Sequence, residues 1–144
     1  PDSDDFDRAV ATFRRLLALN PDDAYALNYL GYSFAERGVH LEEAVELLNR
    51  AVAIDPENGA FFDSLGWAYY RLGELAEAER FLGRAIEQLT DHEDEEQAVI
   101  YDHAGDIADA LGKRTQAEDH WRRALDLAPN NRQVQQKLRS ERRP

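Results

Sequence analysis

The sequence predicts an all-α fold made of antiparallel helix pairs stacked in a row, and three observations predict it. Apolar residues recur at i, i+3, i+4 and i+7 along almost the whole chain, as at Leu41, Ala44, Val45 and Leu48, and no stretch alternates as a strand would. Asn20-Pro21, Asp55-Pro56 and Ala128-Pro129 interrupt these runs, because a residue before proline is pushed out of the helical region. The interruptions also keep a register. Ala44, Leu48, Ala51 and Pro56 reproduce the spacing of Ala9, Phe13, Leu16 and Pro21, and of Ala117, Trp121, Ala124 and Pro129. Ala78, Leu82 and Ala85 match as well, with Thr90 in place of the proline.

Taken in order, the first helix spans about 4–19 and ends at Asn20-Pro21. No helix precedes it, so Phe6 and Val10 face either further repeats or another chain. The second, 24–37, carries Leu27, Leu30, Gly31 and Phe34 and stops at Gly38. The third, 41–54, carries Ala44, Leu48 and Ala51. The fourth, 59–72, repeats the second with Phe62, Leu65, Gly66 and Tyr69 before Gly73; the fifth, 75–89, repeats the third. The sixth, 95–111, carries Tyr101, Ala104, Gly105 and Ala108 before Gly112, and the seventh is 114–127. The eighth, 131–141, has only Val134 and Leu138 as an apolar stripe, as a polar capping helix would. The glycines read as packing and turn residues. Gly31, Gly66 and Gly105 face alanines of the following helix, where only a small residue permits close approach. Gly38, Gly73 and Gly112 suit left-handed helix ends.

Large–x2–Leu–Gly–x2–aromatic, followed by Ala–x3–large and a proline, resembles the tetratricopeptide repeat (TPR), a 34-residue helix–turn–helix unit. The resemblance covers nearly the whole chain and implies a TPR α-solenoid in a single domain, residues 1–144. Its parts are a half repeat (1–22), repeats at 24–57, 59–92 and 98–130, and a capping helix with a basic tail at 131–144. Two departures stand out. "ERGVHLEEA" adds a residue to the first repeat's turn, and "LTDHEDEEQ" adds five after the second repeat, read as an acidic rim loop.

Composition bounds the function. Seventeen Lys+Arg against 29 Asp+Glu give a net charge of −12, which argues against nucleic-acid binding through phosphate neutralisation. The sign reverses in residues 131–144, where five basic groups face only Glu141. The chain has no cysteine, hence neither disulfide nor thiolate chemistry, and no apolar run long enough for a membrane span. Cytoplasm and periplasm both fit. The four histidines show no HExxH or i, i+4 pairing, and no phosphate-cradling GxxxxGK[ST] is present, so neither enzyme chemistry nor a cofactor is expected. His92 among Glu93, Asp94, Glu95 and Glu96 matches no EF-hand spacing and reads as loop.

The resemblance implies that the first helix of each repeat lines a concave groove that holds a peptide or partner protein. Carried over by position, the candidates are Tyr25, Asn28, Tyr29 and Tyr32, then Asp63, Trp67, Tyr70 and Arg71, then Asp102, His103, Asp106 and Asp109. Tyr32, Trp67 and Tyr70 are read as rigid aromatic contacts in the groove, the alternative being that they partly fill gaps between adjacent first helices. Asp102, Asp106 and Asp109 share a helix face and read either as a solvated acidic face or as an acidic groove end selecting a basic or amino-terminal segment. Family members that clamp chaperone tails use Lys, Asn, Asn, Lys and Arg. The matching Asn28, Tyr32, Ser64, Val99 and His103 keep none of these types, so an acidic tail held in that manner is not expected. The expected function is a non-enzymatic interaction module, or alternatively a segment that self-assembles into homo-oligomers through its uncovered N-terminal helix. "LNYLGYSFAERG" and "NGAFFDSLGWAYYRLG" further resemble a bacterial TPR subgroup that includes envelope lipoprotein adaptors.

Overall fold

The computed structural model describes residues 3–89 and 95–141, and among these the chain forms eight helices and no strand. They are α1 (Ser3–Leu19), α2 (Ala24–Arg37), α3 (Leu41–Ile54), α4 (Gly59–Leu72), α5 (Leu75–Glu87), α6 (Glu95–Ala110), α7 (Arg114–Leu127) and α8 (Arg132–Glu141). The largest departure from the sequence reading is at α5, which closes at Glu87 instead of 89. There the Gln88 N–H turns back to the Arg84 and Ala85 carbonyls and Leu89 bonds to Ile86, so the last turn tightens and ends the helix. The acidic segment at 90–94 and the last three residues of the basic tail lie outside the described residues.

Side chains set the helix starts. Asp23, Asn58 and Asn131 accept hydrogen bonds from the N–H of Ala26, Phe61 and Val134 at 3.1, 3.2 and 3.1 Å. These three caps hold α2, α4 and α8 in one register. Gly38 and Gly73 close α2 and α4 at φ of 70° and 84°, which only glycine adopts cheaply. The extra residue of the first repeat's turn is absorbed by His40, which enters α3 with φ of 50° and sets its ring 5.0 Å from Phe34.

Each repeat packs its first helix onto its second, α2 on α3, α4 on α5 and α6 on α7, and successive pairs stack. The periodic positions Ala44, Leu48 and Ala51, with Ala78, Leu82 and Ala85 and with Ala117, Trp121 and Ala124, are all buried. Glycine is required opposite the middle residue of each set. A Cβ on Gly31 would lie 2.6 Å from Leu48 Cγ, one on Gly66 would run into Leu82, and one on Gly105 into the Trp121 ring. Gly66→Leu should therefore cost about 1–3 kcal/mol through overpacking. Gly83, inside α5, has open space where its Cβ would stand, so Gly83→Ala should instead stabilise by roughly 0.5–1 kcal/mol. Urea unfolding of the two variants checks the opposite signs.

The two ends differ. α8 seats Val134 and Leu138 beside Trp121 and closes the C-terminal end. At the N-terminal end Ala9 and Phe13 are only partly buried and Leu16 is 38% exposed, although they hold the positions that are fully covered in later repeats.

Candidate functional site

Helices α2, α4 and α6 lie side by side, and the face they share carries an open cavity of about 520 Å³. Asn28 and Tyr32 from α2, Asp63 and Ser64 from α4, and Val99 and Ile100 from α6 line it. The Ser64 hydroxyl donates to the Ala60 carbonyl at 3.1 Å. Asn28 is different. Its Oδ1 is the one buried side-chain polar atom among the described residues that has no hydrogen-bond partner. Buried polar groups are nearly always paired, so the Asn28 amide, which lines the cavity with its oxygen turned inward and unpaired, gains a hydrogen bond if it turns outward.

Below this face lies a buried polar knot. His103 Nδ1 sits 2.8 Å from Asp63 Oδ1, joining α6 to α4, and both side chains are closed from solvent. The Trp67 ring stacks 4.0 Å from the imidazole and 4.7 Å from Tyr70, while its Nε1 donates to Glu36 at 3.1 Å. Trp67 is thus 7% exposed and braces the repeats internally, where the sequence reading placed it open in the groove. Burial alone lowers the His103 pKa, but Asp63, with Asp102 and Asp106 behind it, outweighs this and raises it above its ordinary value. Tyr32 is half-buried, and burial, followed by the charges of Glu36 and Asp63, pushes its phenol well up. Burial also raises the Tyr70 phenol.

The acidic end is already occupied. Lys137 of α8 donates to Asp102 at 2.8 Å and to Asp106 at 2.9 Å, and the Trp121 indole N–H reaches Asp106 at 3.3 Å. Burial disfavours the Lys137 charge, yet the two carboxylates more than offset this and its pKa rises. Asp102 and Asp106, expected to select a basic segment of a partner, are thus paired with a basic residue of the chain itself. These carboxylates fasten the cap to the third repeat; only Asp109 of the three stands exposed.

The remaining candidates scatter. Tyr25 is 73% exposed with its edge toward Phe61 at 5.5 Å. Tyr29, 54% exposed, stacks on Phe13 of α1 at 4.4 Å and so belongs to the N-terminal end. Arg71 is exposed and lies against the turn at Gly38. The cavity therefore gathers Asn28, Tyr32 and Asp63 but not the other nine. Ser64 and Val99 entered the sequence reading only as lost clamp positions, and Ile100 was missed. Lys137 read as tail charge, although its place beside Leu138 on the apolar stripe was a signal that it faces inward.

Three tetratricopeptide-repeat family models match residues 2–59, 40–100 and 98–131, together nearly the whole chain. A TPR repeat-containing protein of Pseudomonas aeruginosa is 46% identical over 80 residues, covering 56% of this chain and 14% of that protein. Lipopolysaccharide assembly protein B of Escherichia coli is 34% identical over 89 residues, 61% of this chain and 23% of that protein. The chain thus spans a small part of the length of these relatives. Among solved structures, the first TPR of Spaghetti (RPAP3), bound to the HSP90 peptide SRMEEVD, superposes with a TM-score of 0.71. It is 26% identical and covers 82% of this chain and 89% of that one. Pseudomonas aeruginosa pilF shares the fold at a TM-score of 0.82 and 22% identity, over 96% of this chain and 61% of that one. With its repeat register, its eight helices and these matches, the chain belongs to the tetratricopeptide-repeat family, whose repeats form protein–protein interaction modules.

Proposed function

We propose that the α2–α4–α6 face holds an extended, neutral or basic segment of a partner protein and that the chain acts as a non-catalytic adaptor. The carrying observation is Asn28, whose partly exposed side chain lines the cavity while its buried Oδ1 lacks a partner; a turn of the amide toward the cavity would pair it with the backbone of the bound segment. Tyr32, Val99 and Ile100 supply apolar contact beside it. The RPAP3 neighbour holds an acidic peptide on the same fold, but here the exposed Glu96 lines the cavity, and no lysine or arginine does so among the described residues. An acidic tail would meet repulsion. Catalysis is disfavoured by the state of His103, which is tied to Asp63 and covered by Trp67, out of reach of a substrate.

The test starts from a peptide selected on the protein from a random displayed library. Asn28→Ala should weaken that peptide roughly 3- to 10-fold, the worth of one hydrogen bond, while the unfolding midpoint of the free protein stays equal or rises. Weaker binding with undiminished stability is what a residue kept for a ligand gives. Unchanged affinity would sink the assignment. Self-assembly through α1 is the second reading, favoured by the half-exposed Phe13 and Leu16, and sedimentation over a wide concentration range separates it.

A further inference from the structure

We infer that the cavity bounded by α5, α6 and α7 is a second binding site, separate from the α2–α4–α6 face, and that it takes a tyrosine side chain presented by a partner protein. The cavity holds about 200 Å³ and shares no lining residue with that face. Leu82, Gly83 and Ile86 of α5, Ala104 and Ala108 of α6 and His120 of α7 line it.

Its occupant can be read from the repeat before, where the chain fills the same place itself. There α3, α4 and α5 meet, and the Phe81 ring stacks on Tyr69 at 5.6 Å and on Phe62 at 6.2 Å, with Val52 of α3 packed against the same core. In the third repeat, 39 positions later, Tyr69 and Phe81 become Ala108 and His120, and Leu65 becomes Ala104. The facing wall recedes as well. Gly83 of α5 takes the place that Asn49 holds in α3, and a Cβ there would meet nothing within 4 Å. The helices nevertheless keep their close approach, since Gly105 meets Trp121 as Gly66 meets Leu82. What the third repeat lacks is side-chain volume, above all the phenol ring that Tyr69 supplies in the second.

Size and charge narrow the choice. A dry cavity of about 150 Å³ accommodates one benzene ring, so this cavity admits a single ring and little more. It falls short of the roughly 300–1,000 Å³ of sites that enclose whole small molecules, which favours a side chain as the occupant. Glu79, on the wall, is held by Lys113 at 2.6 Å. Burial lowers the His120 pKa against the opposing charge of Asp119, so the neutral imidazole is favoured. The wall thus offers no unpaired charge to a lysine, an arginine or a carboxylate. It does offer a polar group, because the His120 ring has a tilted contact with Tyr101 at 6.1 Å but no hydrogen bond among the described residues. A phenol hydroxyl can pair with that imidazole and a phenyl ring cannot. Tyrosine is also among the side chains that anchor protein interfaces.

The probes are the capped peptide Ac-Gly-Tyr-Gly-NH2, its phenylalanine and lysine versions, and p-cresol, each titrated into isotope-labelled intact protein. The tyrosine peptide should give saturating shifts at Gly83, Ala104, Ala108 and His120. The phenylalanine version should bind roughly 3- to 10-fold more weakly, the worth of one hydrogen bond, and the lysine version not measurably. Gly83→Leu grows a side chain from open space on the wall and should abolish the shifts while the unfolding midpoint holds or rises. His120→Ala should erase the preference for tyrosine over phenylalanine. No saturable shift, lysine or phenylalanine binding as well as tyrosine, or full binding by the Gly83→Leu protein would each overturn the inference. So would a tyrosine preference that survives His120→Ala. Binding of p-cresol without the tyrosine peptide would overturn it too, since the occupant would then be a free phenol.

Discussion

Asp63→Ala is expected to destabilise the protein by about 3–5 kcal/mol, read by urea unfolding at pH 6. The reason is that removing one member of a buried ion pair leaves the other charge uncompensated in a low-dielectric site. Asp63 meets His103 at 2.8 Å between two repeats, and the Trp67 ring closes the pair from water. A pH dependence follows from the raised pKa of His103. A group that binds its proton more tightly folded than unfolded contributes stability fully present below its ordinary pKa, about 6.5. That contribution is lost as pH rises through the folded value. The milder Asp63→Asn keeps the side-chain shape and removes the charge. Its cost should be larger at pH 5.5 than at pH 8.5, because only the imidazolium misses the carboxylate. The other charges near the imidazole, Asp102 and Asp106 with their partner Lys137, remain in both proteins and cancel in the comparison. A cost independent of pH would mean that the pair is a neutral hydrogen bond.

Trp67→Ala is expected to cost a similar 3–5 kcal/mol, and Tyr25→Ala less than about 0.5 kcal/mol. The sequence treats the two aromatics alike, as contacts on one groove. The structure separates them: Trp67 is 7% exposed and packed between His103 and Tyr70, whereas Tyr25 is 73% exposed. For a chain of this length the tryptophan loss corresponds to a fall in Tm of about 10–20 °C. Thermal unfolding of the two variants checks the split. It also follows that Trp67→Ala is a poor probe of ligand binding, because lost affinity would be confounded with lost structure. Asn28→Ala carries no such confusion.

The helices were legible because each is set by local chemistry. Asp23 and Asn58 cap, Gly38 and Gly73 terminate, and the 3.6-residue spacing of Ala44, Leu48 and Ala51 fixes the buried face. The role of Gly66 was also legible, since its place opposite Ala78 and Leu82 recurs in each repeat. The site was less so. Its character depends on contacts between residues far apart in the chain, and one helix's periodicity does not report them. Lys137 neutralises Asp102 and Asp106 from over thirty residues away, and Glu36 takes the Trp67 N–H from the preceding repeat. The same spacing that put Asp102 and Asp106 on one face was read correctly, but what covers that face lies on another helix. Position in the repeat identified which side chains share a wall; it did not say which of them remain open to a ligand.

The central claim is that the α2–α4–α6 face is where a partner is held. Its most direct test is to titrate the library-selected peptide into isotope-labelled protein and follow the backbone amide shifts. The account predicts saturating shifts centred on Asn28, Tyr32, Ser64, Val99 and Ile100, with α3, α5 and α7 nearly still. Shifts centred instead on those second helices, or on α1 alone, would contradict it.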